Sequence, residues 1–334
     1  MADTLGGFNT QATNFDQLVQ TAIYRDVLRT LRVEAHYAMP ESVLPLARLE
    51  GNNLSVRATL WTDVEPSLAA LSEGVPPSPT KMAEDQIAAS ITEVGGYIPI
   101  FSQANYQLSQ LVMQATDKVG RQLYLAFDSF ARGLYSAGEA DAWGGSATSK
   151  VTVATGDKLT TALVDELVTR ARESDLEPFT DGLYRIVAHP RAIAPLLSEV
   201  GAGGGMTGFA PAASFGTAGD LVTGTIGGWH GALFVSAGSR GIVFKAAGAG
   251  SPPIDVYRVA LIGRNSVALT DLNSIQTIVQ PGGGPTDPLR QIVATVGWRG
   301  FMGGVLVDAA NFSDGAGVLD ASIKRSVTAD VSAA

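Results

Sequence analysis

Apolar and polar residues follow two different periods along this chain, and the longest regular stretch has the period of a helix. Between Gln107 and Tyr135 apolar residues recur every three or four positions, with polar residues on the opposite side. Asp128 precedes Arg132 in the favourable order for an ion pair on the polar side. The pattern predicts one helix about 40 Å long, whose apolar side needs a packing partner. Its predicted folding core consists of Leu111, Val119, Leu123, Phe127 and Phe130.

Two strand-like stretches precede this helix and are joined by a proline-rich segment. Residues 51–61 and 86–101 are rich in β-branched and aromatic residues, which favour strands. The joining residues 62–85 have few large apolar side chains and contain Pro66, Pro76, Pro77 and Pro79. This pattern predicts an extended hairpin that has little core of its own and needs a partner surface to become rigid.

The rest of the chain divides into an N-terminal arm and an α/β region. Residues 1–14 are small and polar, and a helical pattern follows from about Phe15 to Tyr37. A Gly/Ser-rich break at 142–149 separates the long helix from the α/β region. Helices are predicted there at 159–173 and 190–200, and strands at 183–188, 233–236, 242–245, 256–262, 275–280 and 292–307. The last 20 or so residues are predicted to form a tail.

Composition indicates a well-packed protein with an undercharged surface. Of the 334 residues, 46% are hydrophobic, which is enough for a substantial core. Only 16% are charged, whereas ordinary domains have roughly 25%. Interface cores are depleted of charge, so this composition is typical of a surface covered by neighbouring copies, and a genome rich in Gly and Ala codons would give the same bias. The formal net charge of −9 and the lack of a basic stripe argue against a nucleic-acid-binding protein.

The sequence carries no recognisable catalytic, cofactor-binding or metal site. It has no cysteine, and His36, His189 and His230 show none of the spacings of a metal motif, so a capping or structural role explains each better. Residues 203–208 have the glycine spacing of a dinucleotide-binding loop but follow a predicted helix instead of a strand, which favours a plain loop. We therefore predict a protein that is not an enzyme and that uses no cofactor.

The sequence also lacks targeting signals. The N-terminus has neither the basic region nor the apolar core of a secretory signal, and no apolar run approaches the ~20 residues that span a membrane. We expect synthesis in the cytoplasm and no membrane partner.

The C-terminal third carries a series of short motifs in a definite order. They are Gly227-Gly228-Trp229-His230-Gly231, Val256-Tyr257, Ile262-Gly263, Thr286-Asp287-Pro288-Leu289-Arg290-Gln291 and Val296-Gly297-Trp298-Arg299. This set resembles one branch of tailed-bacteriophage major capsid proteins, in which an Asp-Pro-Leu-x-Gln turn precedes a Val-Gly-Trp-Lys-like strand. Here Arg299 takes the lysine position and keeps the positive charge. The order of arm, hairpin, long helix and α/β lobe is similar to the same family.

The resemblance implies an α+β fold of the Hong Kong 97-like capsid type. Its parts would be an N-terminal arm and helix (1–50), an extended β-hairpin loop (51–101), a peripheral domain with a long spine helix (102–150 and 265–312), an axial α/β domain (151–264) and a C-terminal tail (313–334). The implied function is structural: hexamers and pentamers of this chain would form the icosahedral head of a virion around double-stranded DNA, without sequence-specific binding. Portal, scaffold or decoration proteins would be additional partners.

Candidate contacts between subunits lie in the hairpin tip and in the Asp-Pro turn. They are Pro76, Pro77, Pro79 and Lys81 in the tip, and Asp287, Pro288 and Arg290 in the turn. The Asp287-Pro288 pair also has a purely structural explanation, because Asp starts turns and Pro fixes φ.

Two other functions remain open at this level. An encapsulin-like bacterial compartment would share the fold and form a shell, but it would load cargo enzymes instead of DNA. A cytoplasmic α/β enzyme with a composite His/Asp site would be a monomer or a small oligomer. Portal, terminase and tail genes beside this gene would favour the capsid, and size-exclusion chromatography separates a shell protein from the enzyme.

Overall fold

The computed structural model describes most of the chain and shows a mixed α+β protein. The described residues are 36–48, 55–61, 84–101, 111–201, 210–211, 225–270, 276–281, 292–308, 312–313 and 325–333. The predicted arm and most of its helix (1–35) and the hairpin tip (62–83) lie outside these stretches. The α-helices are α1 (Leu111–Ser136), α2 (Thr161–Glu173) and α3 (Pro190–Gly201).

Three sheets are formed by the strands that the structure describes. The strands, in chain order, are β1 (Val43–Arg48), β2 (Ser55–Trp61), β3 (Glu84–Ser90), β4 (Thr92–Phe101), β5 (Ala142–Trp143), β6 (Tyr184–Ala188), β7 (Ala210–Pro211), β8 (Thr225–Trp229), β9 (Ala232–Ser236), β10 (Ile242–Phe244), β11 (Val256–Ile262), β12 (Val267–Thr270), β13 (Gln276–Pro281), β14 (Ile292–Met302), β15 (Gly304–Leu306), β16 (Phe312–Ser313) and β17 (Ser326–Val331). One sheet has the order β15-β12-β1-β2-β3-β16 and a second the order β13-β14-β4. The third has the order β5-β17-β11-β6-β9-β8-β7, with β10 also paired to β11.

The long helix α1 confirms the helical period of the sequence. Its buried side chains recur every fourth position, as an apolar stripe requires, and they are Ala115, Val119, Leu123, Phe127, Ala131 and Tyr135. This stripe packs against the inner side of the three-stranded sheet, including Ile100, Val296 and Trp298. Phe130 is partly buried against the same core. The apolar stripe of the helix therefore has a packing partner, as the sequence predicted.

One position on the polar side of α1 differs from the prediction. Asp128 is only 1% exposed, and its Oδ1 accepts hydrogen bonds from the backbone amides of His36 and Tyr37 at 3.0 and 2.9 Å. Arg132 donates to the carbonyl oxygen of Arg240 at 3.2 Å. The expected surface pair between Asp128 and Arg132 is wrong, because the segment at His36 and Tyr37 covers this part of the helix and donates its backbone amides to the Asp128 carboxylate.

The two longest predicted strands each break where they change sheets. The stretch 86–101 is β3, which pairs with β2, followed by β4, which pairs with β14. The stretch 292–307 is β14 followed by β15, which joins β12 in the six-stranded sheet. The second break is at Gly303, where a Cβ would lie 2.5 Å from the carbonyl oxygen of Ser90. A glycine is needed at 303 because the backbone there lies in contact with the backbone of Ser90.

The end of the chain is the largest correction to the prediction. The tail assigned to 313–334 contains β17, which is wholly buried and pairs antiparallel with β11 from Tyr257↔Val331 to Ile262↔Ser326. The bounds of β11 are those predicted, and all seven of its residues are buried. Since β17 alternates small polar and apolar residues, its sequence looks like a polar tail, and only the pairing with β11 makes it core.

Candidate functional site

The predicted subunit contacts lie outside the described part of the chain. They are Pro76, Pro77, Pro79, Lys81, Asp287, Pro288 and Arg290, and their role remains a prediction. In the predicted helix core, Val119, Leu123 and Phe127 are buried. Leu111 begins α1.

The hairpin that carries the first group of predicted contacts has an anchored stem. Strands β2 and β3 pair antiparallel from Ser55↔Ser90 to Trp61↔Glu84, which confirms a hairpin. The stem has a small core within its own subunit, formed by Leu46, Ile87, Ala89, Ala268 and Val307. Strand β1 continues the same sheet on one side of the stem, through β2. The tip therefore starts from a stem that is paired and packed within its own subunit.

A buried arginine joins three distant parts of the chain. Arg258 on β11 is fully buried, and its Nε and Nη2 donate to the two carboxylate oxygens of Asp330 on β17 at 2.7 and 2.8 Å. Its Nη1 lies within hydrogen-bonding distance of the carbonyl oxygens of residues 135–138 at the end of α1, at 3.1–3.4 Å. A cation is favourable at a helix C-terminus, where carbonyls lack partners. This contact fixes α1 to the eight-stranded sheet.

Sequence reasoning missed this joint, although a signal was present. Arg258 is the one charged residue in the strand Val256–Ile262, and Asp330 has a comparable place in Ser326–Val331. A charge inside an apolar strand signals a buried pair, because an unpaired charge in the core is very costly. The partner could not be named, since Asp330 lies 72 positions away in the sequence.

His189 has the capping role that the sequence favoured. It directly precedes Pro190, and its Nδ1 accepts a hydrogen bond from the backbone amide of Arg191 at 3.1 Å, in the first turn of α3. Its ring lies 5.1 Å from that of Tyr257. Burial lowers the pKa of His189 below its ordinary value, and the positive charges of Arg191 and Lys245 lower it further. The lowered pKa favours the neutral imidazole, whose Nδ1 can accept this hydrogen bond.

This lowered pKa predicts a pH dependence of stability. Below the ordinary pKa of about 6.5 the unfolded chain takes up a proton at His189 more readily than the folded chain, so the free energy of unfolding falls as the pH falls. His189→Asn keeps an oxygen that can cap α3 but does not titrate. We expect the melting temperature of the wild type to fall more between about pH 7 and about pH 5 than that of the variant. Parallel curves would contradict this assignment.

His230 also has a structural role. It occupies the turn between β8 and β9 with φ +51°, followed by Gly231 at +86°, as a two-residue hairpin turn requires. Its ring stacks on that of Trp229 at 4.3 Å, and its Nδ1 contacts the carboxylate of Asp165 on α2. The contact between His230 and Asp165 links the β8–β9 turn to α2 at the surface, since the two side chains are 59% and 42% exposed.

No metal site or membrane span appears in the described stretches. Within them, no three His, Asp or Glu side chains gather closely enough to hold a metal ion. Nor does any helix there combine the length and the apolar character needed to cross a bilayer. The glycine-rich residues 203–208 lie outside the described part.

One face of the three-stranded sheet carries an exposed aromatic side chain. The register aligns Tyr97, Gly297 and Ile278 in one row across β4, β14 and β13. Tyr97 is 72% exposed, and a Cβ at Gly297 would lie 2.9 Å from the Cβ of Tyr97. The row borders a shallow groove of about 350 Å³. An exposed aromatic beside a groove is typical of a protein contact surface.

Comparison with known proteins identifies the fold. No protein-family model and no curated protein matches the sequence. Solved structures do match. The capsid of Ralstonia phage GP4 has a TM-score of 0.66 at 14% identity, covering 90% of this chain and 88% of that one. The head of Helicobacter pylori bacteriophage KHP40 has a TM-score of 0.60 at 11% identity, covering 87% and 86%. The capsid of cyanophage Pam1 has a TM-score of 0.55 at 15% identity, covering 85% and 86%. The chain therefore has the fold of tailed-phage major capsid proteins.

Proposed function

We propose that this chain is the major capsid protein of a tailed bacteriophage, a subunit that assembles with copies of itself into the icosahedral head. The observation that carries the proposal is the extent of the similarity. It covers at least 85% of this chain and of each of the three phage capsid chains. The shared architecture thus includes most of the molecule and not one motif.

In this proposal the elements take the roles that the family resemblance implied. Helix α1 is the spine helix of a peripheral domain, together with the three-stranded sheet, and the β2–β3 hairpin is the stem of the extended loop. The eight-stranded sheet is the core of the axial domain. That domain then extends beyond residues 151–264, because β5 and β17 belong to its sheet.

The surface chemistry supports a shell subunit. Only 16% of the residues are charged and Tyr97 is largely exposed, as expected of surfaces that neighbouring copies cover. A net charge of −9 is consistent with a shell that encloses DNA without binding it tightly. In the virion, portal, scaffold or decoration proteins would be further partners.

Electron microscopy and analytical ultracentrifugation of the purified chain test the proposal directly. We expect hexamers, pentamers or closed particles that form in a concentration-dependent manner. A protein that stays monomeric at every concentration, with or without crowding agents, would overturn the proposal. Nuclease-protected phage DNA in particles from infected cells separates a phage head from a bacterial compartment loaded with protein cargo.

The extended hairpin gives a specific prediction about assembly. Residues 62–83 contain four prolines and few large apolar side chains, so they cannot bury enough surface to order themselves. Replacing them with a short Gly/Ser turn should leave the stem paired and the subunit folded, with near-native circular dichroism. Shell closure should fail, because the tip supplies contacts to a neighbouring subunit.

The control for this experiment is a Gly/Ser replacement of the same length as 62–83, which changes contacts but not loop length. Normal particles from both variants would contradict the bridging role. Global unfolding of the short variant would mean that the tip belongs to the core of its own subunit.

A further inference from the structure

Strand β17 occupies an inner position of the eight-stranded sheet and is hydrogen-bonded on both edges. On one edge all six of its residues pair antiparallel with β11. On the other edge, the carbonyl oxygens of Thr328 and Asp330 accept from the backbone amides of Asp141 at 2.8 Å and Gly144 at 3.0 Å. The space between β11 and residues 141–144 is therefore a slot that holds one extended chain, and we call it the strand slot.

The two faces of the strand slot differ in chemistry. Val327, Ala329 and Val331 lie in the hydrophobic core that the sheet shares with α2. Since side chains alternate along a strand, the residues between them point to the opposite face. There Asp330 accepts two charge-assisted hydrogen bonds from the buried guanidinium of Arg258. The slot thus favours small or β-branched apolar side chains on one face and a carboxylate on the other.

The chain returns to β17 at the point from which it departed. The backbone amide of Arg325, directly before β17, donates to the carbonyl oxygen of Val307 at 3.1 Å. Between these two positions the chain pairs with the hairpin stem through β16. The contacts that fill the strand slot come from β11, residues 141–144 and α2, and not from the segment that links β17 to the rest of the chain. A cut in that segment would leave those contacts in place.

We propose that the strand slot is a binding site for an extended peptide, which the subunit fills with its own strand β17 and which the same strand on a separate chain can fill instead. Main-chain hydrogen bonds on both edges provide the affinity of such a site, and the alternating side chains provide its specificity. The ligand class is a strand with small apolar residues at alternate positions and a carboxylate opposite Arg258. This proposal does not depend on the capsid function.

Cleavage of the folded, full-length chain tests whether β17 stays bound without its covalent link. A recognition sequence for a specific protease is inserted between Gly315 and Ala316, and the folded subunit is cut there. We expect the fragment 316–334 to co-elute with the rest of the chain in size-exclusion chromatography, with unchanged circular dichroism, and to separate only in denaturant. If the folded chain resists the protease, co-expression of 1–315 and 316–334 as two chains provides the same complex.

Exchange with added peptide tests the chemistry of the ligand. Cut subunits are incubated with a fluorescent synthetic peptide of residues 316–334 in urea below the unfolding midpoint, and incorporated fluorescence is measured after size-exclusion chromatography. An unlabelled peptide with Asp330→Asn should compete at least about tenfold more weakly than the wild-type peptide, because it leaves the Arg258 guanidinium without a counter-charge. The matched control peptide carries Asp320→Asn, the same change outside β17, and should compete like the wild type.

Each result has a definite consequence. Separation of the cut fragment in native buffer would show that the covalent link is needed and would overturn the proposal. Failure of the labelled peptide to enter cut subunits would overturn binding from a separate chain. Equal competition by the Asp330→Asn and Asp320→Asn peptides would overturn the assigned ligand class.

Discussion

Replacing Asp330 with asparagine should lower the free energy of unfolding of the subunit by about 3–5 kcal/mol, because it leaves the buried Arg258 guanidinium without its counter-charge. Both side chains are fully buried, and the pair is bidentate at 2.7 and 2.8 Å. Urea unfolding of unassembled subunits measures the change. Hydrogen exchange should show the loss first in β11 and β17, the strands that the pair joins.

The matched control is Asp255→Asn, which breaks the exposed pair with Lys245 at 2.7 Å. Exposed pairs contribute little, so this variant should unfold near the wild-type midpoint. A double variant, Arg258→Met with Asp330→Leu, should be more stable than Asp330→Leu alone, since no charge stays buried. It should not recover fully, because the carbonyls at the end of α1 lose the Arg258 donor. An Asp330→Asn variant as stable as the wild type would contradict the proposed importance of the pair.

Replacing Phe127 with aspartate should prevent the subunit from folding. Phe127 is 7% exposed on the buried stripe of α1, in the core that the helix shares with all three sheets. Loss of the ring alone costs about 3–5 kcal/mol, and burial of a carboxylate adds several more or forces its protonation. The sum is comparable to the whole stability of a typical domain, 5–15 kcal/mol. We expect insoluble protein or a non-cooperative thermal transition.

Ser129→Asp is the control for this variant, because it adds the same charge at an exposed position of the same helix. It should give soluble subunits at the wild-type yield. Folded Phe127→Asp subunits at that yield would show that the apolar stripe is not part of the core.

Several local elements could be predicted from the sequence because an apolar face or run of the element is buried within its own subunit. The period of α1 placed Val119, Leu123 and Phe127 on one side, and the structure buries all three. The apolar run Val256–Ile262 was read as a strand with its correct ends, because it is buried along its whole length. In both cases the pattern of apolar residues in the sequence predicts which side chains are buried.

The burial of polar residues could not be predicted from the sequence in this way. Asp128 has the spacing of a solvated helix charge, and Arg258 and Asp330 give no sign of each other across 72 positions. A charge is buried only when its partner is also placed, and the partner is chosen by the packing of distant segments. The same holds for Tyr97, whose exposure depends on which face of its sheet α1 covers.

The sequence by itself determined α1, α2 and α3, most of the described strands, the hairpin stem and, through its motifs, the kind of fold. It did so because hydrophobic period and turn chemistry are local properties of the chain. Only the tertiary structure decided which strands share a sheet, that the chain changes sheets between β3 and β4 and again at Gly303 between β14 and β15, and that Ser326–Val331 is core and not tail. Strand pairing joins residues that are far apart in sequence, and either face of a strand can be buried, so its partner is fixed only when the whole chain packs.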